Sequence, residues 1–209
     1  MENSVNLSKV KVIALDFDGV VTNLDIDWHA AIRLASTIVG HDIKSLITFY
    51  EASHGTPIFQ TVSKRIEQIE MEALKDAKLT PFIREFLQKL SEMHVETYVV
   101  SMQSALVVKK FLSEHDLTSY FKDIVTRERY PSKTAQVTRV LEKSGVCPSR
   151  VLLVDDSARN ISKCKELCVA CFHFARQQNP RRTREIWNSV LNIVTRENDP
   201  NHFLISIFI

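Results

Sequence analysis

The chain has 209 residues, enough for one core domain and a small insertion. With 44% hydrophobic and 25% charged residues it has the composition of a soluble globular protein. A formal net charge of +2 gives no general attraction to nucleic acid or a membrane surface, and no apolar run approaches the length of a membrane span. The N-terminal MENSVNLSKV lacks the charged and apolar regions of a signal peptide. The expected compartment is therefore the cytoplasm, where the four cysteines stay reduced.

Over 10–15 the apolar run VKVIAL reads as a buried parallel strand. It ends in Asp16 and Asp18, one residue apart, and then in Gly19, which lets the chain turn sharply. In open α/β sheets ligands bind just beyond the carboxyl ends of the strands, and both acids fall there. Paired oxygen donors suit a hard cation such as Mg²⁺ that also holds phosphate oxygens. Alone, the pair stays open between a catalytic role, another kind of metal site and an ordinary strand-to-loop turn.

Residues 24–80 read as helical. Asp27 caps a helix that Gly40 stops, a second helix is expected over 42–52, and the turn 53–57 ends with Thr56 as cap and Pro57 at the first position of a third helix running to about 78. No strand-like run interrupts this block, which reads as a helical cap over the strand tips. After Thr80-Pro81, helices over 82–93, 105–115, 133–144, 158–167 and 183–194 alternate with strands over 95–100, 121–126, 151–154 and 169–174. That alternation predicts an α/β fold with a doubly wound parallel sheet. Residues 1–23 and 81–209 are expected to form its core, and 24–80 the cap.

Four features fall at the ends of core strands or the starts of core helices: Asp16 with Asp18, Ser101, Lys133, and Asp155 with Asp156. A carboxylate can attack phosphorus, which splits one hard step into two. A second can protonate the leaving oxygen and later deprotonate water. A hydroxyl and an ammonium can hold non-bridging phosphate oxygens, and a further acid can complete a Mg²⁺ site.

With DFDGVVT at 16–22, YVVS at 98–101, YPSKTAQ at 130–136 and VLLVDDSARNI at 151–161, in this order, the sequence resembles the haloacid dehalogenase-like (HAD) superfamily of aspartate-nucleophile hydrolases. The resemblance covers most of the chain outside the insertion. It implies a Mg²⁺-dependent phosphatase acting on a small phosphorylated metabolite through an aspartyl-phosphate. Asp16 would be the nucleophile and Asp18 the general acid/base, while Ser101 and Lys133 would bind the transferring phosphoryl group. Asp156 would ligate Mg²⁺ with Asp16 and the backbone carbonyl of Asp18, and Asp155 would support or share that site. Many members carry an acid four residues after the metal-binding Asp. Asn160 stands there in this chain, which implies an altered outer shell rather than a dead site.

The insertion resembles the helical cap of phosphoglycolate-phosphatase-like members, which excludes water and selects substrate. His54 and Gly55, in its turn, are candidates for substrate contact, with an ordinary helix–helix turn as the alternative. Asp18 favours phosphate-ester hydrolysis over dehalogenation, which needs no donated proton. A phosphomutase would use the same core residues, and a phosphonatase would need a cap lysine, for which Lys44 and Lys64 are available. From another class comes a HAD-like binding or regulatory protein with weak catalysis.

Other features weigh less. Cys164, Cys168 and Cys171 have an iron–sulfur-like spacing, but on a helix and the following strand they read as apolar cysteines. Asp25 and Asp27 lie near the site, and Asp27 reads as a helix cap. Arg176, Arg181, Arg182 and Arg184 form a basic cluster that reads as a solvated helix start, with contact to an anionic substrate or partner as the alternative. The apolar tail FLISIFI at 203–209 is a candidate edge strand or covering patch, in the same chain, a second copy or a partner.

Overall fold

The computed structural model describes residues 9–195. In chain order the elements are β1 (Val12–Leu15), β2 (Thr22–Asn23), α1 (Trp28–Val39), α2 (Leu46–Ser53), α3 (Pro57–Ala73), β3 (Lys78–Leu79), α4 (Ile83–Glu92), β4 (Glu96–Ser101), α5 (Ala105–Glu114), β5 (Asp123–Thr126), α6 (Lys133–Ser144), β6 (Val151–Asp155), α7 (Ala158–Cys164), β7 (Ala170–His173) and α8 (Pro180–Thr195). β1 lies at the centre of a five-stranded sheet of order β5–β4–β1–β6–β7, and all its pairings are parallel. The expected α/β doubly wound parallel sheet is what forms. Among the described residues no helix is long and apolar enough to cross a membrane. The tail 203–209 lies outside the described residues.

Because side chains alternate along a strand, β1 feeds two cores. Ile13 and Leu15 join the cluster under α4, α5 and α8, while Val12 and Ala14 join the one under α6 and α7. α8 is seated by Trp187, whose ring lies 4.3 Å from Phe86 and 4.6 Å from Phe174 and whose Nε1 donates to the Pro81 carbonyl at 3.0 Å. The helices α1–α3 bury a third cluster that includes Ala31, Ala35, Tyr50, Phe59, Val62 and Ile66.

Capping chemistry sets most of the helix ends. The Asp27 carboxylate accepts from the Ala30 amide, Gly40 closes α1 at φ +85°, and the Thr56 hydroxyl accepts from the Phe59 amide ahead of Pro57. Four expectations need correction. The second helix starts at Leu46 rather than at 42, because the Ile43 amide donates to the Ser36 hydroxyl at 3.0 Å and Ser45, in extended backbone, becomes the cap. The third helix stops at Ala73, followed by a 3₁₀ turn, Leu74–Asp76, and β3. β3 pairs antiparallel with β2, and Thr22 Oγ1 donates to the Lys78 carbonyl at 2.8 Å, so strand does interrupt the block 24–80 at its end. The last helix begins earlier than 183, at Pro180, where the Asn179 side chain accepts from the Arg181 amide at 2.9 Å.

Candidate active site

Both acids of the first motif sit where β1 meets its turn. The Asp16 amide continues the sheet by donating to the Val154 carbonyl at 2.9 Å, which aims the chain past the strand tips. The turn then folds tightly, with the Val21 and Thr22 amides both donating to the Phe17 carbonyl at 2.9 and 3.0 Å. Gly19 sits in this turn at φ +88°. A Cβ there would lie 2.3 Å from Asp156 Oδ2 and 2.6 Å from Arg176 Nε, so the backbone comes as close to the second acidic motif as an unsubstituted carbon allows.

Lys133, the first residue of α6, reaches back across the sheet. Its Nζ is buried and lies 2.9 Å from Asp16 Oδ1 and 3.2 Å from Asp155 Oδ2, and it donates to the Val100 carbonyl at 2.7 Å. One ammonium thus ties together the tips of β1, β4 and β6. Burial works against its charge, but the flanking Asp155 and Asp16 carboxylates prevail and hold the ammonium more firmly protonated than usual. For Asp16 the balance is the reverse. Burial, then the Asp155 charge, pushes its carboxyl well above the ordinary range despite Lys133. Asp18 is also pushed up by burial, against the Leu24 amide that donates to its Oδ1 at 2.9 Å and against Arg176.

Asp155 is held on several sides. The Ser157 amide donates to its Oδ1 at 2.8 Å, and Asn160 Nδ2 lies 3.1 and 3.2 Å from its two oxygens. Asn160, on α7, therefore contacts Asp155, five residues back at the tip of β6. Asp156 is partly exposed and receives Arg176 Nε at 2.6 Å. Asp16, Asp155 and Asp156 each present a carboxylate oxygen, and these oxygens lie within 4.8 Å of one another. Three anionic oxygen donors converging at one point fit a hard divalent cation of the Mg²⁺ kind.

Ser101 ends β4, beside β1. Its hydroxyl donates to Gln103 Oε1 at 2.6 Å and accepts from the Gln103 amide at 3.1 Å, while its carbonyl accepts from Gln136 Nε2 at 2.8 Å. The structure thus gathers Asp16, Asp18, Lys133, Asp155 and Asp156 by direct contact or close approach, with Ser101 on the neighbouring strand tip. His54 and Gly55 make other contacts. His54 Nε2 meets the Glu128 carbonyl at 3.0 Å, its ring packs 5.1 Å from Phe59, and Gly55 is exposed in a left-handed turn.

Sequence reasoning misplaced one residue and missed four. Arg176 is no part of a solvated helix start: it precedes α8 and its guanidinium bonds Asp156, Asn23 Oδ1 at 2.5 Å and, at 3.5 Å, Asp18 Oδ2. Gln103 and Gln136, which fix Ser101, and the buried pair Arg127 and Glu70 gave no signal beyond position. Gln136 is three residues after Lys133 on one helix, and Arg127 directly follows an apolar strand.

A parallel α/β sheet with carboxylates converging at the carboxyl end of its central strand defines a class of α/β folds that place hard-cation donors where open sheets bind ligands. A family model of haloacid dehalogenase-like hydrolases matches residues 13–173, and the chain belongs to that family. Human magnesium-dependent phosphatase 1 is 33% identical over 107 residues, which are 50% of this chain and 59% of that protein. Among solved structures, a predicted phosphoglycolate phosphatase from Haemophilus somnus 129pt superposes with a TM-score of 0.61 at 17% identity, covering 89% of this chain and 98% of the other. A predicted phosphatase from Clostridium acetobutylicum gives 0.62 at 13% identity over 88% and 100%. At those identities the two structures establish a shared fold.

Proposed function

We propose that the chain is a Mg²⁺-dependent phosphatase that hydrolyses a small phosphorylated metabolite through an aspartyl-phosphate on Asp16. The observation that carries the reading is the placement of Asp16: at the tip of the central strand, 2.9 Å from the Lys133 ammonium and within 4.8 Å of Asp155 and Asp156. Family membership supports the hydrolase class, and the matched relative supports the phosphatase reaction and the metal. The reading includes the cytoplasm as its compartment.

In this reading Asp16, Asp155 and Asp156 hold the cation, together with the backbone carbonyl of Asp18. A bound Mg²⁺ neutralises negative charge on the phosphoryl group and on the nucleophile. The Ser101 hydroxyl and the Lys133 ammonium hold non-bridging oxygens. An Asp16 carboxylate oxygen attacks phosphorus in line with the leaving oxygen, and the bond to that oxygen breaks. Asp18 gives the leaving oxygen its proton. Burial, by raising the Asp18 carboxyl, favours the protonated form this step requires. The Asp18 carboxylate then takes a proton from water, the water oxygen attacks phosphorus, and the Asp16 carboxylate leaves with inorganic phosphate as product. The helices α1–α3, in this reading a cap, select the leaving group.

Phosphate release from a panel of phosphorylated metabolites, with Mg²⁺ and with excess EDTA, tests the proposal against Asp16→Asn as blank. Release that needs Mg²⁺ and falls at least about a thousand-fold in the blank is expected for loss of the nucleophile. Equal release by Asp16→Asn would reject the mechanism. Interconversion of sugar phosphates without net release would favour the mutase.

A further inference from the structure

Arg127 directly follows β5 and is buried completely, and so is its partner Glu70 on α3, at 0% and 1% side-chain exposure. Arg127 Nη1 donates to Glu70 Oε1 at 2.6 Å and to the Met102 carbonyl at 2.7 Å. Its Nε donates to the Ser63 hydroxyl at 2.9 Å and its Nη2 to the Ser63 carbonyl at 3.1 Å. The other Glu70 oxygen accepts from the Ser104 amide at 3.1 Å. The guanidinium carbon also lies 5.3 Å from the centroid of the Tyr50 ring.

These contacts join three parts of the chain. Ser63 and Glu70 belong to α3 and Tyr50 to α2, both in the helical insertion. Met102 and Ser104 belong to the turn that begins at Ser101. Arg127 heads the segment that leads to Lys133. The same turn is also held by Gln136, through the Ser101 carbonyl. Desolvating two charges is costly, and well-packed apolar residues of similar volume commonly hold such a place with equal or greater stability. A buried ion pair whose remaining bonds run to Ser63 on α3 and to the backbone of the turn after β4 therefore points to a role in position rather than in stability.

We propose that Arg127 is a positioning residue for the turn 101–104. With Glu70 it locks that turn to α3, so that the placement of the Ser101 hydroxyl is set by the insertion helices as well as by the sheet. The inference rests on the reading of Ser101 as a ligand of the transferring phosphoryl group.

The test uses Arg127→Met, Glu70→Met and the double variant, each in the full chain. Each single variant leaves one buried charge without its partner and is expected to melt lower. The double variant is expected to melt within a few degrees of wild type. Its affinity for inorganic phosphate in the presence of Mg²⁺, read by calorimetry, is nonetheless expected to fall about ten-fold or more, as is kcat on the best compound of the panel. Wild-type phosphate affinity in a double variant of wild-type stability would overturn the proposal. Phosphate affinity decides this point even if no compound is turned over, an outcome that would count against the phosphatase reading instead. Amide hydrogen exchange on the wild-type protein gives an independent check that needs no variant. The Ser104 amide, donated to Glu70, is expected to exchange with the same protection as the α3 amides around Glu70. Exchange about a hundred-fold faster than theirs would show that the turn opens without α3 and would reject the lock.

Discussion

Gly19 shows how little room the acidic cluster leaves. The Ala side chain of Gly19→Ala would meet Asp156 and Arg176 inside contact distance at a φ of +88°, so both the backbone and two site residues must shift. The variant is expected to lose at least about 1–2 kcal/mol from the left-handed backbone alone. Calorimetry should also find its Mg²⁺ binding weakened. Gly40 has φ +85° but nothing within 4 Å of an added Cβ, so Gly40→Ala should show the backbone cost without the binding defect. Tyr50 offers a change of opposite sign. Its hydroxyl is buried without a hydrogen-bond partner among the described residues, so Tyr50→Phe should stabilise the protein by about 1 kcal/mol and raise the Tm by about 2–4 °C. At this scale the placement of the acids, Ser101 and Lys133 was legible, because each stands at a strand or helix boundary. Arg176 was not. A cluster of arginines at a helix start has the composition of a solvated face, and only the pairing of β7 with β6 brings Arg176, just after β7, onto Asp18 and Asp156.

Among the elements, both ends of α1 and the start of α3 were legible, because their caps are local chemistry. The Asp27 carboxylate caps α1, so Asp27→Ala should lower the thermal unfolding midpoint by about 2–4 °C. Where two capping residues compete, local chemistry does not decide. Asp42 and Ser45 are both good caps, and the bond from the Ile43 amide to Ser36 on the preceding helix settles the start at Leu46. The pair β2 and β3 was illegible for a different reason. Two residues show no period, and each strand exists only because the other lies beside it more than fifty positions away in sequence.

At the scale of the whole molecule, alternation of strand and helix was enough to read a parallel sheet, but not which strands are neighbours. The order β5–β4–β1–β6–β7 depends on how the two cores fill, a matter of distant contacts. The same order makes the cation site a joint of the fold, since Asp16 follows β1 while Asp155 and Asp156 come from the end of β6. Mg²⁺ at a hundred times its Kd should therefore stabilise the protein by about 2.7 kcal/mol, a rise in Tm of about 5–10 °C. Thermal scans with Mg²⁺ and with EDTA should show this shift in the wild type and not in Asp156→Asn. A wild-type Tm indifferent to Mg²⁺ would remove the carboxylate cluster as a cation site.

The central position of β1 also bears on how the chain is made. Both of its neighbours come late: β4 opens at Glu96 and β6 at Val151. On a ribosome adding about 5–20 residues per second, the first strand would wait roughly 7–28 s for the last of its partners. Throughout that interval a fully apolar strand has no finished sheet to enter. An arrested or truncated product ending before Asp155 would carry Asp16 and lack the strand that completes its surroundings, with a bare strand open to association with other chains. For this protein, synthesis must run through about three-quarters of the sequence before residue 16 meets Asp155 and Asp156.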